Sequence, residues 1–407
     1  MFRILFLIIF LLNLFSQNAV CDNWGKRIKK KPLIVAASDV PQPTVDIVYE
    51  WYKVGAEAWG NFGPLEIYVV GKSVEAAVDL ENFFCERRMN LDQNWDKKYD
   101  CANERHKVFR HIPEEGGAFV STYRRPNLDY NFYTLTMGSE RPYPDEEDYK
   151  QTILHEYWHI YQHSRITDEC TTDRRDKCER DKKLTGDYEK RPWMHEGGAT
   201  YMGLLVYSRK IANLKDLKRQ MFRYRKRSFR NYFKSSMNLS QFKYKGEEKR
   251  LAYDIGAWFV AYLIHQEGEQ AFKTGFYGDL DKFGFEQAFA RNFGQSTADY
   301  ISEFNDFIIK HKSDKTKLAE LFPDTLLSEN PEFELNSKDF FATLSICKRK
   351  SLQVKLKEEG YYKGKTDGLW GIKTSSAIDS ALSKYNLGRQ LNKGIVKKFK
   401  LHATCEN

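Results

Sequence analysis

The feature that most constrains this chain is His155-Glu156-Tyr157-Trp158-His159, two histidines four residues apart with a glutamate after the first. Such a pair meets on one face only if the segment is an α-helix, which sets the rings one turn apart, about 6 Å along the axis. Two imidazoles so placed can converge on one Zn2+ at about 2.0–2.1 Å each. Glu156 then stands where its carboxylate can take a proton from a metal-bound water and later deliver it to a leaving amine. The plainer reading is a helix that happens to display two histidines. A catalytic zinc usually has three protein ligands and one open position. His163 continues the stripe, but it lies two turns from His155, about 12 Å along the axis, too far to share one ion.

The better third donor is Glu196, in Trp193-Met194-His195-Glu196-Gly197-Gly198-Ala199-Thr200-Tyr201. The two glycines allow this helix to pack closely against another, as closing a metal site requires. His195 competes from the same turn and otherwise stands behind the ligands or faces substrate. Thr200, one turn on, can hydrogen-bond a ligating histidine.

These two motifs together resemble the gluzincin clan, the peptidase MA-like enzymes. Aminopeptidase N-type members carry His-Glu-x-x-His and then Trp-Leu-x-Glu-Gly-x-Ala on the next helix, and bacterial collagenases carry a similar pair. The resemblance spans roughly residues 130 to 310. It implies a zincin-type fold, Zn2+ as cofactor, His155, His159 and Glu196 as metal ligands, and Glu156 as general base. The stretch Tyr253-Asp254-Ile255-Gly256-Ala257 resembles the Tyr-x-x-Gly-Ala of those enzymes, which implies that Tyr253 steadies a tetrahedral oxyanion. The alternative is an ordinary core or surface tyrosine, one of 24. Two departures matter. The gap from His159 to Glu196 is longer than in the aminopeptidases, and the Gly-x-Met-Glu-Asn signature that grips a free amino terminus is absent. An endopeptidase with an open cleft therefore fits better than an aminopeptidase. The metzincin pattern does not fit, because Ile160 to Arg165 lacks its Gly and His at the required spacing.

Periodicity around the motifs reads as α+β. Residues 22 to 43 look like an exposed lead-in, with a lysine run and Pro41-Gln42-Pro43. Thr44 to Trp59 is helical, Leu65 to Val70 alternates as a strand, and Ser73 caps a helix through Arg88. Ala118 to Tyr123 and Asn131 to Met137 are strands joined by Arg125-Pro126-Asn127. As an exposed edge, Phe132 to Met137 would pair with an extended peptide; otherwise it is an interior strand. Asp145 to His163 is the helix of the histidine pair. Residues 164 to 192 form a polar surface insertion. Helices follow from Trp193 past Tyr201 and over about 213–235, 249–267, 284–293 and 297–310. Residues 311 to 340 are partly linker-like.

The N-terminus reads as a signal peptide over residues 1–21. Arg3 precedes an apolar run from Ile4 to Phe15, and Ala19-Val20-Cys21 is a small-residue exit. An uncleaved anchor is the alternative, although about 12 apolar residues span a bilayer poorly. A lipoprotein exit lacks its Leu before Cys21. Cleavage leaves six of seven cysteines, in local pairs Cys85 and Cys101, Cys170 and Cys178, Cys347 and Cys405. An even number in an exported chain suggests disulfides, paired here by proximity alone. The net charge of +9 gathers in Gly25 to Lys31 and Arg209 to Lys234. It suits an anionic envelope surface, or simply solvated helix faces. No nucleic-acid motif accompanies it.

The C-terminal stretch closes the chain as a small module. Ser351-Leu352-Gln353 through Leu356, Gly360-Tyr361-Tyr362-Lys363-Gly364, Asp367-Gly368-Leu369-Trp370-Gly371, Thr374 and Ala377-Ile378 resemble the small helical peptidoglycan-binding domain. The glycines suit turns of positive φ, and Thr374 suits a helix cap. Wall binding is what the resemblance implies; a non-binding structural appendage is the alternative.

The expected organisation is a leader (1–21), a gluzincin-like domain (22–340) and a peptidoglycan-binding-like domain (342–407). The expected protein is a secreted or envelope-associated zinc endopeptidase acting on protein or on peptidoglycan cross-links. Its partners are a peptide substrate and peptidoglycan or another anionic envelope polymer, with no nucleic acid and no stable membrane insertion after leader cleavage. One rival is a non-catalytic wall-binding protein in which the zinc helix is a structural remnant. Another is an envelope protein that holds anionic polymers through its basic face.

Overall fold

Short, largely apolar runs form the strands of the main sheet, and longer segments with a 3.6-residue apolar period form the helices. The computed structural model describes residues 23–96, 101, 108–126, 128–168, 183–184, 192–235, 237–323, 337, 341, 344, 346–385 and 398–399. In chain order these give β1 (Lys26–Arg27), β2 (Leu33–Ala36), α1 (Gln42–Trp59), β3 (Phe62–Gly63), β4 (Leu65–Val70), α2 (Val74–Leu91), α3 (Val108–Glu115), β5 (Ala118–Tyr123) and β6 (Phe132–Gly138). Then come α4 (Glu147–Ser164), α5 (Pro192–Lys210), α6 (Leu214–Lys234), α7 (Gly246–Glu267), α8 (Tyr277–Phe293), α9 (Thr297–His311), α10 (Lys315–Ala319), α11 (Ile346–Glu358) and α12 (Ile372–Tyr385). The protein is α+β, mostly helical with a small mixed sheet.

The four-stranded sheet runs β2-β4-β6-β5; β2, β4 and β6 are parallel, and β5 closes one edge antiparallel to β6. This corrects two expectations. Phe132 to Met137 is an interior strand, buried along its length, and the edge on that side is Ala118–Tyr123, which is half-buried. The stretch from 22 to 43 is no exposed lead-in, since Leu33–Ala36 forms the other edge strand. Trp24 is buried there, stacked 4.0 Å from Tyr133, with its indole donating to the Ile166 carbonyl at 3.0 Å.

Both faces of the sheet are covered. Ile67, Val69, Leu135 and Met137 face the large core under α1, α4 and α5. Tyr68, Val70 and Phe132 face a second core with Leu80 and Phe84 of α2. The alternation read in Leu65–Val70 is therefore a division between two cores rather than between core and water. Its one charged residue, Glu66, is buried and pairs with Arg88 and Arg87 of α2. Ser73 caps α2 as expected, accepting from the Ala76 amide at 3.1 Å. The Cys85–Cys101 bridge is present. Cys170, Cys178 and Cys405 and the side chain of Cys347 lie outside the described residues, as do the leader and most of the 164–192 insertion. Gly284 (φ 71°) is non-helical and divides α8 into two helical stretches, the second of which is the helix expected over about 284–293.

The C-terminal helices have their own core, with Leu352, Leu356, Ala377, Ile378 and Leu382. Its polar centre is Gln353, fully buried, whose amide donates to the Leu369 carbonyl at 2.9 Å and accepts from the Gly368 amide at 2.7 Å. Gly360 and Gly368 take the expected positive φ, whereas Gly364 and Gly371 do not. Thr374 does not cap: it lies inside α12 and donates back to the Leu369 carbonyl at 3.2 Å. Among the described residues no helix is long and apolar enough to cross a membrane.

Candidate metal centre

The rotation of α4 about its axis is fixed by what it buries. Ile153, Leu154, Tyr157, Trp158, Ile160 and Tyr161 all enter the main core. Tyr157 lies against Gly55 of α1 and donates to the Gly60 carbonyl at 2.8 Å. With Tyr157 and Trp158 so committed, His155 and His159 turn toward α5. Two glycines on α5 then set its distance. A Cβ on Gly203 would stand 3.1 Å from the His155 amide nitrogen, so α5 packs on the α4 backbone there. A Cβ on Gly197 would stand 2.3 Å from the carbonyl carbon of Gly256, so α5 and α7 touch main chain to main chain.

Glu196 is thereby carried to the histidine pair. Its Oε2 lies 3.1 Å from His155 Nε2 and 3.3 Å from His159 Nε2, and the two Nε2 atoms are 3.2 Å apart. A tetrahedral zinc with bonds of about 2.0–2.1 Å separates its donors by about 3.3–3.4 Å. The triangle fits that edge length, and two imidazoles with one carboxylate are a donor set suited to zinc. Among the described residues no further His, Cys, Asp or Glu joins the group.

The surroundings orient the donors. His159 Nδ1 donates to Gln162 Oε1 at 2.7 Å, so when the ring is neutral Nδ1 keeps the proton and Nε2 is the nitrogen that can face an ion. Gln162 is fully buried, and its amide donates to the His195 carbonyl at 3.1 Å and to Tyr277 at 2.8 Å. Thr200 Oγ1 lies 3.4 Å from His155 Nδ1, on the side expected. The Tyr253 ring lies parallel to that of His155, centroids 5.8 Å apart. His195 stacks on His159 at 4.1 Å and stays out of the ligand triangle, its Nδ1 3.6 Å from Glu196 Oε1. His163 is further out, edge-on to His195 at 5.7 Å.

Burial and mutual charge govern titration here. Burial pushes the Glu156 carboxyl up, against the pull of the neighbouring His155 and His159. Burial works against charge on His159, yet the adjacent Glu196 carboxylate prevails and raises it to about 9. Burial alone would raise Glu196, but His159 and hydrogen bonds from His155 and His159 hold it well below the usual carboxylate range. His195 goes the other way, lowered to about 4 by burial and by repulsion from His159.

Two residues of this centre were missed in the sequence. Gln162 had a usable signal, three residues after His159 on the same helix. Tyr244, which donates to Glu196 Oε1, had none, because it precedes α7 in an irregular segment. The basic helix α6 spends part of its charge locally: Arg219 pairs with Glu147, Arg223 with Asp148 and Arg227 with Asp254. Searches against protein-family models, curated proteins and solved structures find no match to this chain.

Proposed function

We propose that this chain is a secreted zinc-dependent endopeptidase of zincin type, brought to the cell envelope by its C-terminal module. The observation that carries the reading is the triangle of His155 Nε2, His159 Nε2 and Glu196 Oε2, with sides of 3.1 to 3.3 Å, beside the buried carboxyl of Glu156. The chemistry a bound zinc supplies is Lewis acidity, enough to bring the pKa of a water molecule toward about 7. Glu156 is the general base: it accepts the proton from the attacking water and passes it to the amine nitrogen as the peptide C–N bond breaks. Its buried position keeps competing solvent away from that proton. Tyr253, beside His155, is the proposed donor to the developing oxyanion. Strand β5 offers an edge on which an extended peptide can lie, main chain to main chain. The peptide bonds attacked are those of proteins or of peptidoglycan cross-links, and tethering by residues 342–407 raises local concentration at the wall.

The test is hydrolysis of casein and of purified muropeptides by the zinc-loaded protein. Wild type is expected to cleave at least one, and Glu156→Gln to lose activity by at least about 100-fold. A full zinc load with no hydrolysis of either substrate, unchanged by Glu156→Gln, favours the non-catalytic wall-binding protein instead.

A further inference from the structure

The Glu196 carboxylate presents its two oxygens to different neighbours. Oε2 faces both histidine Nε2 atoms, whereas Oε1 accepts a hydrogen bond from the Tyr244 phenol. Tyr244 belongs to none of the helices that carry the proposed ligands. It sits on the short connection between α6 and α7, whose residues 238–243 are firmly anchored. Asn238 and Gln241 close a reciprocal capping box over a 3-10 turn at Leu239–Gln241. Leu239 and Phe242 are fully buried, Phe242 against Tyr232 with centroids 5.8 Å apart. The Lys243 amide then donates to Glu248 of α7 at 3.1 Å. These anchors hold the backbone leading into Tyr244, whose hydroxyl then donates to Glu196 Oε1.

We infer that Tyr244 is a positioning residue that holds Glu196 to one-oxygen ligation. The inference rests on reading the three residues as a metal site. A carboxylate is free to bind an ion through one oxygen or two. With Oε1 engaged by the phenol, only Oε2 remains directed at the ion, and a coordination position stays open for water and substrate. Removing the hydroxyl frees Oε1 to turn inward and close that position. It also loosens the carboxylate, which lowers affinity as the loss of other outer partners of metal ligands does.

The test compares wild type with Tyr244→Phe, which keeps the ring and deletes only the hydroxyl. Zinc affinity is measured by competition with a chromophoric chelator. The cobalt(II)-substituted proteins are compared by visible absorption, whose d–d bands are intense for four-coordinate and weak for five-coordinate ions. Circular dichroism and melting of the metal-free proteins report on folding. The expected result is zinc binding weaker by about 10–100-fold, with a weaker cobalt spectrum and an unchanged apo-protein melt. Equal affinity and an identical spectrum overturn the inference while leaving the metal site standing. A fall in affinity with an unaltered cobalt spectrum overturns it too, since the hydroxyl then does not set the coordination. Failure of the wild type to bind zinc sinks the metal reading itself, and this inference with it.

Discussion

Gly197 of α5 rests directly on Gly256 of α7, so close that a Cβ on either residue would fall 2.3 Å from main-chain atoms of the other helix. Glu196 is the neighbour of that contact, which seats α5 on its α7 side while Gly203 seats it on the α4 backbone that carries the histidines. Gly198, one residue on, has no such constraint: its nearest neighbours would lie 3.4 Å from an added Cβ, ordinary contact distance.

The two glycines should therefore behave oppositely. Gly197→Ala forces the helices apart and is expected to cost about 1–3 kcal/mol of stability and to weaken zinc binding. Gly198→Ala gains helix propensity, up to about 1 kcal/mol, and should be neutral or stabilising. Thermal melts of both variants decide; similar losses in both would contradict the packing argument.

Gln162 links the site to the core. Gln162→Leu removes the acceptor that fixes the His159 tautomer and leaves the Tyr277 hydroxyl and His195 carbonyl short of a donor. Zinc affinity is expected to fall by about 10–100-fold, with about 1–3 kcal/mol lost in urea unfolding. Wild-type affinity in this variant would show that His159 needs no such partner.

Metal and proton compete for His159. Because Glu196 raises this imidazole to about 9, the proton must leave before Nε2 can bind an ion. Zinc affinity should thus climb about tenfold per pH unit through neutrality and flatten above about pH 9. Calorimetry in buffers of different ionisation enthalpy should show about one proton released per zinc near pH 7.5. Release of no proton there would mean that His159 is already neutral.

Away from the site, Glu66 and Arg88 form a buried pair on the α2 side of the sheet, with Tyr68 donating to the same carboxylate at 2.6 Å. Glu66→Gln leaves the Arg88 guanidinium buried without its counter-charge, and about 3–5 kcal/mol should be lost. A urea midpoint within error of wild type would mean that Arg87 and the surrounding rings already compensate.

Much of this arrangement was readable in the chain because helices repeat locally. The i, i+4 spacing placed His155 and His159 together, and the glycines after Glu196 announced a close helix contact without naming Gly256 as its partner. Sheet topology was less accessible. Nothing in the alternation of Phe132–Met137 says whether a strand is central or at an edge, because that depends on which strands pair with it. Leu33–Ala36 was hidden because four apolar residues between a lysine run and two prolines carry too little pattern. Tyr244 reaches Glu196 across 48 positions of sequence from an irregular segment, where no periodicity indicates direction.

The central claim is that His155, His159 and Glu196 together hold one zinc ion. Its most direct test is metal content by mass spectrometry after extensive dialysis, on wild type, Glu156→Gln and Glu196→Ala, each checked for folding by circular dichroism. About one zinc per chain is expected in wild type and in Glu156→Gln, and little or none in folded Glu196→Ala. A wild type without zinc, or a full zinc complement in Glu196→Ala, would contradict it.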